Sequence, residues 1–549
     1  MTVSTPSPAA TAVEVKRPWW ALASLLIGLS MIIIDGSVVN VLLPDMVEDL
    51  GLTATESQWV NSIYSLIFAA LLVTVGLLAD RFGRRRLFLS GTVVFLVGSL
   101  LAGSAMNPSF LIGARAVQAV GAAMMLPSSI AVINVLFTGR RRAVAFGLWG
   151  AVFGGAAALG PLLGGFLAEY WSWRLAFLIN IPVGILAAVL VLRTVPETRV
   201  AGIAALDPLG VVLSASGLAL IVYALIEGQQ FGWWQAIAQF DLGPISFQPG
   251  GLSVVPVALL AGAVLLFLLV LWEARRARLH QGALVDLQLF AVRRYGFGNV
   301  VALVVSLGEF GILFVLPLWM QAVHGASPLE AGAILAFLAV GTLISGGAAR
   351  QASARLGATR VVRLGMLLEV LGILGIAVTL SPSRSPWWLA IALVVYGLGL
   401  GFASAQLTNV VLADVPPEKS GQASAMTSTF RQVGSALGAA VLGAVLFSGL
   451  GIILGHELAS DASLPAQEQS QIVDEVQSSA GQAIVGLEKV PGMEQTVSLA
   501  KTAFTKAARD TAYCAALFVF AGLMVSFGLP KDDDDPDLEA EREPATVGA

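Results

Sequence analysis

The sequence predicts an all-α polytopic membrane protein, and three observations support this prediction. The 549 residues are 57% hydrophobic and only 12% charged, whereas soluble domains carry about 25% charged residues. Apolar runs recur along the chain, most of them as long as the roughly 20 residues that a membrane-spanning helix needs. Lys and Arg are concentrated in alternate connections between these runs, as expected for loops on one side of a bilayer.

The apolar runs are separated by charged and turn-forming residues, and they predict fourteen transmembrane spans. The predicted spans lie at 19–43, 57–79, 87–105, 110–136, 143–168, 174–193, 208–227, 254–273, 296–321, 329–349, 361–380, 387–413, 421–448 and 510–529. Because the number is even, both termini are predicted to lie on the same side of the membrane.

The distribution of Lys and Arg predicts which side that is. Connections after spans 1, 3, 5, 7, 9 and 11 contain almost no basic residues, with Arg174 and Arg384 as exceptions. The other connections carry clusters such as Arg84–Arg86 and Arg140–Arg142. Because an excess of Lys and Arg marks cytoplasmic loops, both termini are predicted to be cytoplasmic and the chain to lie in the plasma membrane.

Two connections on the predicted outer side are long. Residues 228–251 are rich in Trp, Gln and Gly, and residues 449–509 are mostly polar. Within the second connection, apolar residues at helical spacing over 471–490 predict an amphipathic helix on the membrane or against the protein. A binding site for an extracytoplasmic partner at 449–509 is the alternative.

The connection between spans 2 and 3 reads GLLADRFGRRR over residues 76–86. An acid ends the span, a glycine permits a tight turn, and several cations follow. Cations alone would serve only to fix the topology, but this order also predicts a cytoplasmic gate. The gate residues are Gly76, Asp80, Arg81, Gly83, Arg84 and Arg85.

Span 5 carries the stretch GAVFGGAAALGPLLGG over residues 150–165. Glycines four residues apart share a helix face, and such a face lets a neighbouring backbone approach closely. The proline removes a backbone donor and bends the helix. In a single helix this pattern is typical of tight packing, whereas in a transporter it predicts a hinge. The hinge residues are Gly150, Gly154, Gly160, Pro161, Gly164 and Gly165.

Two further stretches complete a set of motifs. Residues 111–123 have the form LxxxRxxQxxGAA, and residues 171–184 read WSWRLAFLINIPVG. Together with the gate motif, the hinge motif and Asp35 in span 1, they resemble the major facilitator superfamily. Within it, the chain resembles the fourteen-helix drug:proton antiporter family. The hinge motif is typical of exporters in that superfamily.

This resemblance implies the major facilitator fold, in which two six-helix bundles rock about a site at the middle of the membrane. It also implies that the Asp80 carboxylate holds the gate closed against the N-terminus of span 13. The implied divisions are a tail at 1–18, a bundle at 19–193, a linker at 194–295 with two inserted helices at 208–227 and 254–273, a bundle at 296–529, and an acidic tail at 530–549.

Ionisable residues inside membrane spans are costly, which makes them candidates for function. Asp35 and Arg115 lie at depths that differ by about 3 Å, so they can form an ion pair. Gln118 follows on the same helix face as Arg115. We predict that these three residues take part in proton coupling or line the substrate cavity, the alternative being a permanent structural ion pair.

In the second half, Glu309 and Arg431 lie at comparable depth in spans 9 and 13. Glu309 is the predicted proton carrier of this half, and separation of Glu309 from Arg431 is a possible coupling step. Glu369 in span 11 lies nearer the cytoplasm, where it is predicted to pair with Arg363 or with the loop at 355–360.

One position departs from the family pattern. Family members that handle cationic dyes often have an acid in a WxxDxY pattern early in span 2, where this chain has Ser62 between Trp59 and Tyr64. This substitution favours a neutral, anionic or monocationic amphiphile as substrate over a dication.

Other classes of chemistry find no support in the sequence. There is no GxxxxGK[ST] loop for ATP, and His280, His324 and His456 lack neighbours with ligand-like spacing for a metal. Basic residues spread along one membrane face do not predict nucleic-acid binding. We therefore predict no cofactor and no enzyme, but a proton-driven exporter of amphipathic small molecules. A dedicated exporter of one metabolite or lipid, and a non-transporting sensor or scaffold, are the alternatives.

Overall fold

The computed structural model describes nine ranges of the chain: 18–137, 139–198, 207–238, 240–242, 245–247, 251–279, 287–415, 420–459 and 465–530. Apart from Pro18 and Pro530, the two predicted tails lie outside the described residues. Within these ranges the structure is almost entirely helical, as the sequence predicts.

The first half of the molecule consists of helices that pack on one another. These are α1 (Pro18–Leu50), α2 (Ala54–Phe82), α3 (Arg84–Gly103), α4 (Pro108–Leu136), α5 (Gly139–Tyr170), the single turn α6 (Leu175–Leu178) and α7 (Asn180–Thr194). Polar capping residues fix where some of these helices begin. Thr53 and Glu56 form a reciprocal capping box before α2, and the Asn107 side chain accepts a hydrogen bond from Phe110 N at the start of α4.

The middle and the second half follow. The remaining elements are α8 (Pro208–Phe231), a two-stranded antiparallel hairpin of β1 (Phe240–Leu242) and β2 (Ile245–Phe247), α9 (Val254–Arg278), α10 (Arg293–His324), α11 (Pro328–Leu356), α12 (Ala358–Thr379), α13 (Leu389–Leu412), α14 (Ser420–Ala459), α15 (Ala466–Ser478), α16 (Ala483–Leu487) and α17 (Glu494–Ser526). Short 3-10 turns at Leu287–Ala291 and Pro386–Trp388 precede α10 and α13.

Twelve helices among the described residues are long and apolar enough to cross a membrane. Helices α2 and α5 occupy the second and fifth predicted spans and are 29 and 32 residues long, but they are not among these twelve. The predicted count of fourteen spans therefore stays a prediction, although a helix lies at each of the fourteen positions.

The apolar core is organised differently at the two ends of the bundle. We call the end at which α3 and α10 begin the basic face, and the other end the opposite face. At the opposite face one core joins both halves, with residues such as Leu42 from α1, Phe314 from α10 and Phe447 from α14. At the basic face the described residues form separate cores, one around Phe88 and one around Tyr295. Among the described residues, one large apolar core thus joins the halves at the opposite face, whereas each core at the basic face stays within one half.

Helices α8 and α9 pack on each other outside the two halves. Helix α8 lies on the line where α2 of the first half meets α14 of the second. Val222 and Ile226 of α8 pack there with Leu66 of α2 and Ala436 of α14. The inserted pair therefore covers one contact line between the halves.

The predicted amphipathic helix at 471–490 is wrong as a single helix. The chain forms α15 and α16, separated by a turn in which Ala480 and Gly481 have positive φ angles of 53° and 87°. Ile472, Val476 and Ile484 are buried in the core shared with α14 and α17. Of the two predicted locations, the structure shows the one against the protein.

Candidate functional site

Asp35 lies at the centre of a buried polar network in the first half. Its carboxylate forms an ion pair with Arg115 and accepts hydrogen bonds from Gln118 Nε2 at 2.9 Å and Asn180 Nδ2 at 2.8 Å. Ser99 Oγ accepts hydrogen bonds from the same two amides. The network joins α1, α3, α4 and α7, and both carboxylate oxygens have partners.

Aromatic rings complete the surroundings of Arg115. The guanidinium carbon lies 4.4 Å from the centre of the Tyr64 ring and 5.7 Å from that of Phe177. A cation over an aromatic face gains electrostatic stabilisation that grows when water is absent. Because Arg115 and Asp35 are both 0% exposed, this network holds a balanced pair of charges inside the first half.

A second group of ionisable residues lies inside the second half. Glu369 on α12 and Tyr396 on α13 lie where these two helices pack closely. Glu309 on α10 and Arg431 on α14 lie in the same half. Glu369 and Tyr396 are buried, whereas Glu309 is only partly buried. Each half thus carries acids and a guanidinium group away from its ends.

The predicted pairing of Glu369 with Arg363 is wrong. Arg363 donates hydrogen bonds to the carbonyl oxygens of Ser526 and Leu529 beside the end of α17. Glu369 lies two turns further along α12 and is 1% exposed. Residues six apart on an α-helix point in different directions. The side chain of Glu369 therefore points into the interior of the second half and away from that of Arg363.

The predicted gate motif forms the turn between α2 and α3. Gly83 has a φ of 111°, a conformation that favours glycine. Arg84 donates a hydrogen bond to the Ala131 carbonyl at 3.0 Å, and Arg81 is exposed beside the Phe82 ring. Gly76 lies within α2, and the side chain of Asp80 lies outside what the structure describes. The predicted contact between Asp80 and the N-terminus of span 13 therefore stays a prediction.

Glu197, which follows α7, organises this turn. Its carboxylate accepts hydrogen bonds from the backbone nitrogens of Arg85 and Arg86, each at 3.2 Å, and lies 3.7 Å from Arg86 Nε. Backbone N–H groups at a helix start attract an anion. The acid that caps the basic turn therefore comes from the same half of the molecule.

The predicted hinge glycines pack against two different helices. Gly160 and Gly164 face Ser37 and Val38 of α1, in their own half. Gly165 and the carbonyl of Pro161 face Pro328 and Gly332 at the start of α11, in the other half. Gly150 and Gly154 lie in α5, but their surroundings are outside the described part. One end of α5 therefore forms a close backbone contact between the halves.

Polar contacts also cross between the halves. Ser65 Oγ on α2 lies 3.0 Å from Ser435 Oγ on α14, and Gln321 of α10 donates a hydrogen bond to the Val41 carbonyl of α1. Ser62 is buried, with its hydroxyl 3.5 Å from the Ala436 carbonyl. Ser62 thus faces the other half of the molecule.

Sequence reasoning missed several members of these groups. Asn180 stands inside the motif at 171–184, but nothing in its spacing indicated a contact with Asp35. Ser99 and Tyr64 carry no local signal, and Glu197 lies 112 residues from the backbone that it caps. Such contacts depend on how distant helices pack.

The architecture and the buried charges define a multi-pass membrane transporter. The family model described as Major Facilitator Superfamily matches residues 25–439, and the chain belongs to this superfamily.

Among curated proteins, the chain is 36% identical over 436 residues to the puromycin resistance protein pur8 of Streptomyces alboniger, covering 78% of this chain and 82% of the relative. It is 31% identical to the multidrug efflux pump LfrA of Mycolicibacterium smegmatis, covering 93% of this chain and 95% of the pump. Among solved structures, it resembles a bacterial homologue of the human lysosomal transporter Spinster in an inward-facing, unoccupied conformation. The TM-score is 0.62 at 17% identity, with 95% of this chain and 100% of the other covered, and this likeness concerns the fold.

Proposed function

We propose that this transporter exports drug-like amphipathic small molecules from the cytoplasm in exchange for protons. Export is supported by relatives that are named for multidrug efflux and for resistance to puromycin and that match most of the chain. Proton exchange is supported by one observation above all. Carboxyl groups that can bind and release a proton lie inside both halves of an otherwise apolar molecule.

The direction of transport follows from the orientation that we propose. With the basic face in the cytoplasm and the chain in the plasma membrane, the described conformation is closed towards the outside by the shared core. Rocking of the halves, with movement along the α2–α14 and α5–α11 contacts, would open that side. One proton moving inward contributes about 2.3 kcal/mol per 100 mV of membrane potential, so no ATP or cofactor is needed.

The substrate that fits best is a neutral, anionic or monocationic amphiphile. Ser62 supplies no negative charge at the position where dye-transporting relatives often carry an acid, and its side chain contacts the Ala436 carbonyl. The second positive charge of a dicationic substrate would therefore find no negatively charged partner at this position.

Transport by everted membrane vesicles tests this proposal. The vesicles are energised to build a pH gradient. A panel of fluorescent amphiphiles is then added, with neutral, monocationic and dicationic members. We expect some of them to dissipate the gradient in a transporter-dependent way, with dications the least active. Gradient collapse that persists in both Asp35→Asn and Glu309→Gln would contradict proton coupling through these residues. No flux across the whole panel would point to a dedicated substrate or to a sensor.

A further inference from the structure

Asp207, at the start of α8, shows how the molecule holds a carboxylate beside a tryptophan. Both Asp207 oxygens accept a hydrogen bond from Trp272 Nε1 at 3.0 Å. Arg276 Nε lies 3.4 Å from Asp207 Oδ2, and the guanidinium carbon of Arg276 lies 6.0 Å from the centre of the Trp272 ring. The same three kinds of group meet at the opposite face in Asp49, Trp173 and Arg174. In both places an arginine balances the carboxylate and lies over the indole ring.

Near the other end of α8, Glu227 forms the same arrangement without its cation. Glu227 Oε1 accepts a hydrogen bond from Trp59 Nε1 at 2.9 Å, and the centre of the Tyr223 ring lies 6.3 Å from that of Trp59. Within the described part of the chain, Glu227 forms no ion pair and its Oε2 accepts no hydrogen bond. Glu56, one turn before Trp59, is held in the cap of α2 and adds no positive charge. A partly buried carboxylate without a counter-ion is costly, so this group lacks a cation.

This incomplete group lies on the line where the two halves meet. Trp59 packs against the apolar cluster that joins α2, α8 and α14, which contains Ile226 and Ala436. Trp59 is in the second turn of α2, so the group lies near the opposite face. Trp59, Tyr223 and Glu227 are all partly exposed. A ligand can therefore reach the carboxylate and the rings at a place where the halves move relative to each other.

An organic monocation supplies what the group lacks. We propose that Glu227, Trp59 and Tyr223 bind a monocationic amphiphile at this line, and that the inserted helix α8 thereby selects substrates by charge. The positive charge pairs with Glu227, and the apolar part of the ligand lies against the two rings. A neutral or anionic amphiphile gains nothing from Glu227, and a second positive charge finds no partner at Ser62. This proposal rests on the proposed export and names the charge of the preferred substrate.

Binding of two ions of the same shape and opposite charge tests the site. The full-length protein in lipid nanodiscs is titrated with tetraphenylphosphonium, a monocation, and with tetraphenylborate, an anion, and binding to empty nanodiscs is subtracted. Glu227→Gln removes the charge but keeps an oxygen that can accept the hydrogen bond from Trp59. We expect it to weaken phosphonium binding about tenfold, because a partly desolvated charge pair is lost, and not to weaken borate binding. Glu227→Asp, which keeps the charge, should retain part of the phosphonium binding.

Glu330→Gln is the matched control. Glu330 Oε1 accepts a hydrogen bond from Trp387 Nε1 at 2.9 Å, but this pair is exposed and lies on α11 and the turn before α13, away from α8. Water satisfies a carboxylate there, so the variant should bind both ions like the wild type. An equal loss of both ions in Glu227→Gln would show that Glu227 only positions α8 and would overturn the proposal. Unchanged phosphonium binding in Glu227→Gln, or none in the wild type, would overturn it as well.

Transport in proteoliposomes separates this proposal from the proposed function. With tetraphenylphosphonium as substrate, Glu227→Gln should raise KM about tenfold and leave kcat near the wild-type value, because only binding energy is lost. Transport of the neutral members of the vesicle panel should not change. A wild type that binds phosphonium through Glu227 but transports no compound would contradict the proposed function alone. Export of neutral compounds together with phosphonium binding that does not depend on Glu227 would contradict this inference alone.

Discussion

Arg115 shows how a full charge is held inside an apolar half. Asp35 balances the charge, Gln118 Oε1 accepts a hydrogen bond from the guanidinium at 2.8 Å, and the Tyr64 ring covers it. The Tyr64 hydroxyl, by contrast, has no hydrogen-bond partner among the described residues. The ring of Tyr64 is therefore the part that matters for Arg115, and the hydroxyl contributes little.

Two substitutions at Tyr64 separate the ring from the hydroxyl. We expect Tyr64→Phe to keep wild-type stability and transport, because it removes a buried hydroxyl that has no partner. Tyr64→Leu should lower the free energy of unfolding by about 2 kcal/mol, because a desolvated cation–π contact is lost. Thermal unfolding of the purified protein and the vesicle assay measure both effects. If Tyr64→Phe is as damaging as Tyr64→Leu, the hydroxyl has a role that the ring contact does not explain.

At the scale of elements, α5 and α11 meet through backbone rather than through long side chains. A Cβ atom on Gly332 would collide with the Pro161 carbonyl, and one on Gly165 would collide with the backbone at Pro328. Small residues at such a contact let two helices approach closely. The contact between the halves at this point therefore depends on both glycines.

Alanine at two positions of α11 tests this dependence. Gly332→Ala should push α11 away from α5 and reduce transport several-fold, with expression maintained. Gly346→Ala is the control, because a Cβ atom there meets nothing within 4 Å. Since alanine is the better helix former by about 1 kcal/mol, the control should be as stable as the wild type or slightly more so. Equal transport by the two variants in vesicles would show that this close contact is dispensable.

On the scale of the whole molecule, the two halves share one apolar core at the opposite face, and the described residues form separate cores at the basic face. Contacts near the middle, such as Ser65 with Ser435, lie where the halves must slide or part if they rock. Helix α8 covers the same line from outside. Movement at this line is a requirement of alternating access.

A cross-link at this line tests whether the halves move there. Cys514 is the only cysteine in the sequence, so Ser65→Cys/Ser435→Cys is made together with Cys514→Ser. Because the two serine oxygens lie 3.0 Å apart, oxidation should form a disulfide, detected by mass spectrometry of peptides. Transport should stop on oxidation and return on reduction, while Ser65→Cys in the same background should not respond. A cross-linked protein that transports at the full rate would show that the halves do not separate at this line.

Much of the architecture could be predicted because it follows from local composition. Apolar runs of membrane length specify helices, and the order of glycines and charges specifies the family. The predicted span 14 began at 510, whereas α17 begins at Glu494, because the polar part of that helix packs on protein instead of ending at the membrane. The turn at Ala480 is also missing from the predicted helix, although Gly481 is a glycine of the kind that often ends a helix.

The sequence by itself determined the helices, the superfamily and the presence of acids within the spans, because each depends on residue type and spacing along one segment. Only the tertiary structure decided which partners those acids have. Asp35 accepts hydrogen bonds from two other helices, α4 and α7, whereas neither carboxylate oxygen of Glu369 has a hydrogen-bond partner among the described residues. The physical reason is that hydrogen bonds and charge balance in an apolar interior depend on how helices distant in sequence rotate and pack.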